Sequence, residues 1–214
     1  MGTENSSIRD MQRFLRGTHN DVHAGDKSFV VGRSTSNQRI ESWWGFLRRE
    51  CVEFWLDLFH RLKDEGHFDA DLLDKNLMLF CFLGLIQDEL DSTKEVWNSH
   101  LIRPSKNERV PHGRPHAMFM VPELYGTQDF LCQVGEEDFM RCEGDCIHRN
   151  DVACDADVLT LCTHIMAQNN LQVPVDGYMA MDNYLYLRDH LKKQVDIPDP
   201  ERKNIIGLTI YYTN

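Results

Sequence analysis

Between residues 40 and 62, Ile40, Trp43, Trp44, Leu47, Cys51, Phe54, Trp55, Leu58 and Leu62 recur three and four positions apart. Only an amphipathic helix with one face buried satisfies that period. Thr35 with Gln38 three residues on has the form of a capping box, and Gly66 offers a stop. One long helix over about 34–65 is predicted. A second begins near Asp69 or Asp71 and runs to about residue 100. Its middle, Leu77 to Ile86, is apolar almost all round, which predicts a helix buried between other elements. These two helices limit the chain to architectures in which long helices pack on something substantial.

The flanking segments are read in the same way. "SSIRDMQRFLRG" (6–17) places Ile8, Met11, Phe14 and Leu15 at helical spacing, with Gly17 to close it. "KSFVVG" (27–32) is short and β-branched, a strand or an extended lead-in. Three prolines and a glycine break structure over 102–116, and "VPELYG" (121–126) reads as a docking turn closing this unit. Residues 127–154 form an acidic, irregular, cysteine-containing linker. Two amphipathic helices, about 155–171 and 177–194, make a small helical C-terminal region within 155–214. Its tail, "IIGLTIYYTN", has strand composition without an obvious partner.

Charge narrows the classes of partner. The net charge is −11. Residues 1–126 hold 16 Lys/Arg against 19 Asp/Glu, a net of −3, and residues 127–214 hold 7 against 15, a net of −8. Non-specific nucleic-acid binding needs clustered cations, so this balance gives DNA weak electrostatic support. No apolar run approaches the roughly 20 residues that cross a bilayer, and Met1 to Asp10 carries no secretory h-region. Seven cysteines lack the spacing of a disulfide framework, and Cys51 and Cys81 sit in apolar helical patterns. An intracellular protein, nuclear or cytoplasmic, not secreted and not membrane-bound, is expected.

Within the first long helix, Glu41 falls about 100° from Ile40, at the edge of the apolar stripe. Asn37 and Trp44 share its face. By position alone Glu41 is a solvated helix-start carboxylate that gains a little from the macrodipole. The residues around it add more. "NQRIESWW" resembles the Asn–x–Arg–Ile–Glu–x–x–Trp motif of the integrase core domain found in animal proteins derived from mobile elements. That family lies within the Asp–Asp–Glu transposase and retroviral-type integrase superfamily. "GTEN" (2–5), "WNSHLIRPS" (97–105) and "GRPHAMFMVPELYG" (113–126) resemble further blocks of the same family in the same order, covering about residues 2–131.

The resemblance implies an α/β ribonuclease H-like catalytic core. This chain would hold the C-terminal part of it, residues 1–126, and would therefore be mainly α. The implied function is DNA integration by metal-dependent phosphoryl transfer, with Glu41 as the third metal-binding, catalytic carboxylate and Mg²⁺ or Mn²⁺ as cofactor. Asn5, Asn37, Arg39, Trp44, Asn98, His100 and Arg103 are the implied DNA-binding or site-supporting residues. The two other family carboxylates have no match here, and one carboxylate cannot hold Mg²⁺ firmly. The chain is accordingly expected to be an N-terminally truncated product or gene model that binds no metal stably and is inactive as it stands. With its sheet missing it would expose apolar helix faces, notably at Trp43, Phe54, Trp55 and Phe80, and so meet a protein partner or a second copy. The alternative is a non-catalytic helical interaction module.

Other clusters rank lower. Cys132, Cys142, Cys146, His148 and Cys154 include one pair at zinc-like spacing but no clean second pair. His112 and His116 are separated by Gly113 and Pro115, which preclude a helix presenting both. Arg33, Arg39, Arg48 and Arg49 form a basic group too small to read as a DNA surface, with Glu50 and Glu53 following.

Overall fold

The computed structural model describes residues 4–32, 38–104, 106, 111–146 and 154–195. Eight α-helices form among them: α1 (Glu4–Leu15), α2 (Gln38–Leu47), α3 (Glu53–Asp64), α4 (Leu72–Ser99), α5 (Pro115–Met120), α6 (Glu136–Gly144), α7 (Ala156–Gln168) and α8 (Gly177–Val195). No strand occurs among the described residues. Their only β pairing is an isolated antiparallel bridge between Ile102 and Gly113. The expected mainly helical character is met, while the tail at 205–214 lies outside the described residues.

The backbone divides into two units. The first comprises residues 1–50 and 91–150, the second residues 51–90 and 151–214. In the first, α1 is followed by a chain that folds back on it. The Gly25 amide donates to the Arg16 carbonyl at 2.9 Å, and Gly25 takes the left-handed φ of 57° that this reversal needs. A 3-10 turn at Gly25–Ser28 occupies the start of the segment expected as a strand. Its Ser28 hydroxyl bonds the Gly25 carbonyl at 2.6 Å. Phe29 is extended but unpaired, so only the lead-in half of that expectation holds. Helix α6 lies against α1 with the Arg141 guanidinium 5.5 Å from the Phe14 ring centre. Residues 136–144 were expected to be irregular. Glu136, Glu137 and Asp138 in the first turn of α6 favour the helix through its macrodipole, a signal that periodicity does not carry.

The predicted helix 34–65 is interrupted. A π-helical turn at Arg48–Val52 separates α2 from α3. Such a turn takes in an extra residue and rotates everything beyond it, which breaks a 3.6-residue stripe. Cys51, Trp55, Leu58 and Leu62 are buried, while Ile40, Trp44 and Phe54 are exposed.

The second unit has its own apolar core. Trp55, Leu58 and Leu62 of α3 are buried, as are Leu77, Cys81 and Phe82 of the first part of α4. Cys162, Ile165 and Met166 of α7 join them, with Ala180, Tyr184, Leu187 and Leu191 along one stripe of α8. Phe82 meets Trp55 edge-on at 6.3 Å and Phe59 at 5.2 Å. Trp55 is therefore 6% exposed, which corrects its expected exposure. Helix α4 is likewise less enclosed than expected, because Leu79 and Leu83 remain exposed on its outer side. Burial pushes the Cys81 thiol up and the Cys162 thiol up to about 12, so both stay protonated and behave as small apolar side chains.

Polar contacts set the ends of these helices. Asp155 caps α7 through the amides of Asp157 and Val158. The Asn76 side-chain Oδ1 accepts from the Asp155 amide at 2.8 Å. Asp74 is fully buried, and its Oδ1 accepts from Arg188 Nε of α8 at 2.8 Å while Oδ2 accepts from the Asp69 amide at 2.6 Å. Arg188 also reaches Asp69 at 2.7 Å, and Lys192 reaches Asp69 at 2.8 Å. The Tyr184 hydroxyl donates to the His67 carbonyl at 2.8 Å.

Removing one partner of a buried pair strands a desolvated charge, which costs about 3 kcal/mol or more when burial is complete. Arg188 retains a little exposure, so Arg188→Met is expected to lower stability by about 2–3 kcal/mol in urea unfolding. Adding Asp74→Asn to that variant should recover part of the loss. The Lys192 hydrogen bond, with Arg188 beside it, holds the Asp69 carboxyl below its ordinary range. A depressed carboxyl stabilises the fold above its unfolded pKa of about 3.9 and loses that contribution as pH falls through the folded value. Stability should accordingly decline below about pH 4, and less steeply in Lys192→Met.

Candidate functional site

Helix α2 carries the motif residues that the structure describes. Glu41 lies in its first turn and is exposed. Arg39, also exposed, donates a guanidinium hydrogen bond to the Pro111 carbonyl. Trp44 is 54% exposed and packs on no described ring. Its neighbour Trp43 is the inward residue. It meets Trp97 of α4 edge-on with ring centres 5.3 Å apart, and Phe46 contacts the same indole at 5.3 Å. Edge-to-face and tilted rings at this separation add attraction beyond the area they bury.

The end of α4 is fastened by short polar contacts. The His100 ring lies 4.5 Å from Trp97, and His100 Nδ1 donates to the Trp97 carbonyl. Arg114 donates to the Ser99 carbonyl. The Ile102–Gly113 bridge closes the loop between them with hydrogen bonds of 2.9 and 3.0 Å. Gly113 has φ 139°, and a Cβ there would meet the Tyr125 hydroxyl at 2.7 Å, so this position excludes side chains twice over.

These elements border a groove of about 640 Å³ lined by Arg39, Ile40, Trp43, Lys94, Trp97, Asn98, Ile102, Pro115, Met118 and Phe119. Of the residues implied by sequence, it brings together Arg39 and Asn98, with His100 in ring contact with the groove's Trp97. Glu41, Trp44 and Arg103 do not line it. Asn37 lies outside the described residues. Asn5 is placed in the first turn of α1, with its side chain outside the description. Sequence reasoning took Trp44 as a site wall and left Trp97, Met118 and Phe119 without a role. The available signal was Trp97 in the same α4 turn as Asn98, and Pro115 placed to start α5.

A two-metal centre requires several oxygen ligands around each ion. Among the described residues Glu41 belongs to no group of three potential ligands within 4.8 Å of one another, so the residues described do not fit such a centre. The one such group is Asp69, Asp71 and Asp74. Arg188 and Lys192 already engage it, the latter 2.8 Å from Asp69 and 3.7 Å from Asp71. Two cations inserted among three carboxylates occupy the oxygens that an ion would use. Cys132, Cys142, Cys146 and Cys154 are free thiols that form no such group with described residues, and His148 lies outside the description.

The family model of the integrase core domain matches residues 1–121, more than half of the chain. The chain belongs to the integrase core domain family. Integrase core domains serve integrase- and transposase-related functions, act on DNA and generally use divalent metals. The matched span contains α1 to α5, and with them the Trp43–Trp97 contact and the groove. Comparison with curated proteins and with solved structures gives no significant match. Among the described residues of this integrase core no helix is long and apolar enough to cross a membrane.

The two adjacent tryptophans give a direct check. Trp43→Ala should cost about 2 kcal/mol, below the roughly 3–5 of a fully buried ring, because Trp43 is half-buried. Trp44→Ala should stay within about 0.5 kcal/mol. Thermal unfolding followed by circular dichroism separates them.

Proposed function

We propose that this chain is an integrase-derived protein for DNA transactions in which Glu41 holds the family's third metal-carboxylate position, and that it does not by itself catalyse strand cleavage or transfer. The observation carrying this reading is the setting of Glu41, exposed on α2 with no described group of ligands around it. Mg²⁺ needs several hard oxygen ligands, so a lone carboxylate gives no centre for in-line displacement at phosphorus. In a complete family core the ion would be Mg²⁺ or Mn²⁺ and would supply the activated nucleophile and charge neutralisation. Arg39, Asn98, His100 and Arg103 are the residues proposed to meet DNA, with Asn5, Asn37 and Trp44 supporting them by their place in the family motifs. The net charge of −11 argues for weak contact, with a salt dependence limited to the few cations that meet phosphate. A nuclear or cytoplasmic setting suits seven unbridged cysteines.

A second reading is a non-catalytic interaction module. It is favoured by the apolar residues that α5 and the following segment leave in solvent, Phe119 at 84% and Leu131 at 83% exposed, with Leu124 and Phe130 between them. Patches of this kind mark partner interfaces.

A labelled duplex incubated with the protein and Mn²⁺ tests the first reading. No cleavage is expected, and Glu41→Gln should behave as the parent. Mn²⁺-dependent cleavage lost in Glu41→Gln would overturn it. Retention of the duplex at low salt that disappears on raising salt supports the DNA role, and no retention at any salt would leave the interaction module.

A further inference from the structure

We propose that the groove bordered by α2, α4 and α5 receives Asp129, Phe130 and Leu131 of a second copy of this chain, the two copies exchanging these segments reciprocally. The proposal rests on the interaction-module reading and names its partner. Trp43, Trp97, Met118 and Phe119 line the groove, and no carboxylate does. Its Lys94 is held by Asp91 at 2.8 Å, which leaves Arg39 as the open cation. Arg39 gives one guanidinium hydrogen bond to the Pro111 carbonyl and has no carboxylate partner among the described residues. A guanidinium has five donors, so most of its capacity is left for a ligand. An occupant of this groove must bring apolar side chains with an acidic group beside them.

The same unit displays such a set. Phe130 is 71% and Leu131 83% exposed, and Asp129 before them is exposed as well. The segment is fastened to its own chain. The Leu131 amide donates to Asp129 Oδ1 at 2.8 Å, and His19 Nε2 donates to the Gln133 carbonyl at 2.9 Å. These bonds hold the backbone in place while the two apolar side chains face solvent, so little ordering remains to be done on docking. In a partner's groove the Phe130 ring would meet indole faces and edges, and Asp129 would give Arg39 a charge-assisted pair. Duplex DNA offers no apolar side chains to such a lining. Groove and segment belong to one unit, residues 1–50 and 91–150, so every copy carries both halves. Reciprocal exchange makes the contact twice and closes a two-fold dimer. Two such plugs bury less than a standard interface, so the dimer is expected to dissociate on the order of 10 μM.

Sedimentation velocity of the full chain from about 2 to 200 μM tests this. A monomer–dimer equilibrium is expected. Phe130→Asp, Arg39→Glu and Asp129→Arg should each weaken it about tenfold or more, with circular dichroism and melting of the dilute protein unchanged. Mixing Arg39→Glu with Asp129→Arg should restore dimers, because both contacts of the mixed pair are then complementary while each variant alone sets like charges together. A monomer at every concentration would overturn the proposal. So would a dimer indifferent to Phe130→Asp, or a mixture that stays monomeric. Salt-sensitive retention of a DNA duplex by the monomeric Phe130→Asp variant would count against the interaction-module reading and leave the dimer standing, so the two fail separately.

Discussion

The Asp74–Arg188 pair is the contact on which the second unit depends. Asp74 has no access to water, and a carboxylate there is tolerable only because Arg188 and the Asp69 amide replace its hydration. The two residues are separated by 114 positions. The pair therefore fixes α8 against the start of α4 in one register. That register puts Tyr184 beside Phe82, with ring centres 6.1 Å apart, and aims its hydroxyl at the His67 carbonyl. Burial and the Asp74 charge both push the Tyr184 phenol up, so it remains a neutral donor in that bond. A non-directional apolar core would admit several helix rotations. This polar pair admits one.

The first unit is organised by aromatic contact. Trp97 collects Trp43, Phe46 and His100 around one indole, and the polar fastenings at Ser99, Ile102 and Pro111 hold the backbone beside it. The integrase motifs on α2 and at the end of α4 thus serve packing here as well as any chemistry. In "NQRIESWW" the adjacent tryptophans have opposite fates. Residues one apart on a helix point about 100° away from each other, so Trp43 enters the cluster while Trp44 stays in solvent. The same geometry leaves Glu41 exposed. Membership of the family and possession of a working metal centre are therefore separate matters. The first rests on residues whose spacing suits packing, the second on carboxylates converging from distant elements.

Helical content was legible from residues 40–62 and 72–99 because period and length both exceed what short-range noise produces. The two C-terminal helices were legible for the same reason. Three features were not. The π turn at Arg48–Val52 leaves no mark in composition, yet it interrupts the 3.6-residue period of the apolar stripe. Helix α6 has too few apolar residues to show a period. Trp55 was expected in solvent because the sequence does not say that Phe82 will stand against it.

The order of residues alone determined the long helices and the family, since both rest on local spacing. Tertiary structure decided which tryptophan became core, and that Asp69, Asp71 and Asp74 became ion-pair partners of α8. Those outcomes turn on contacts between distant residues. Burial sets the strength of such contacts, and it exists only once the chain has folded.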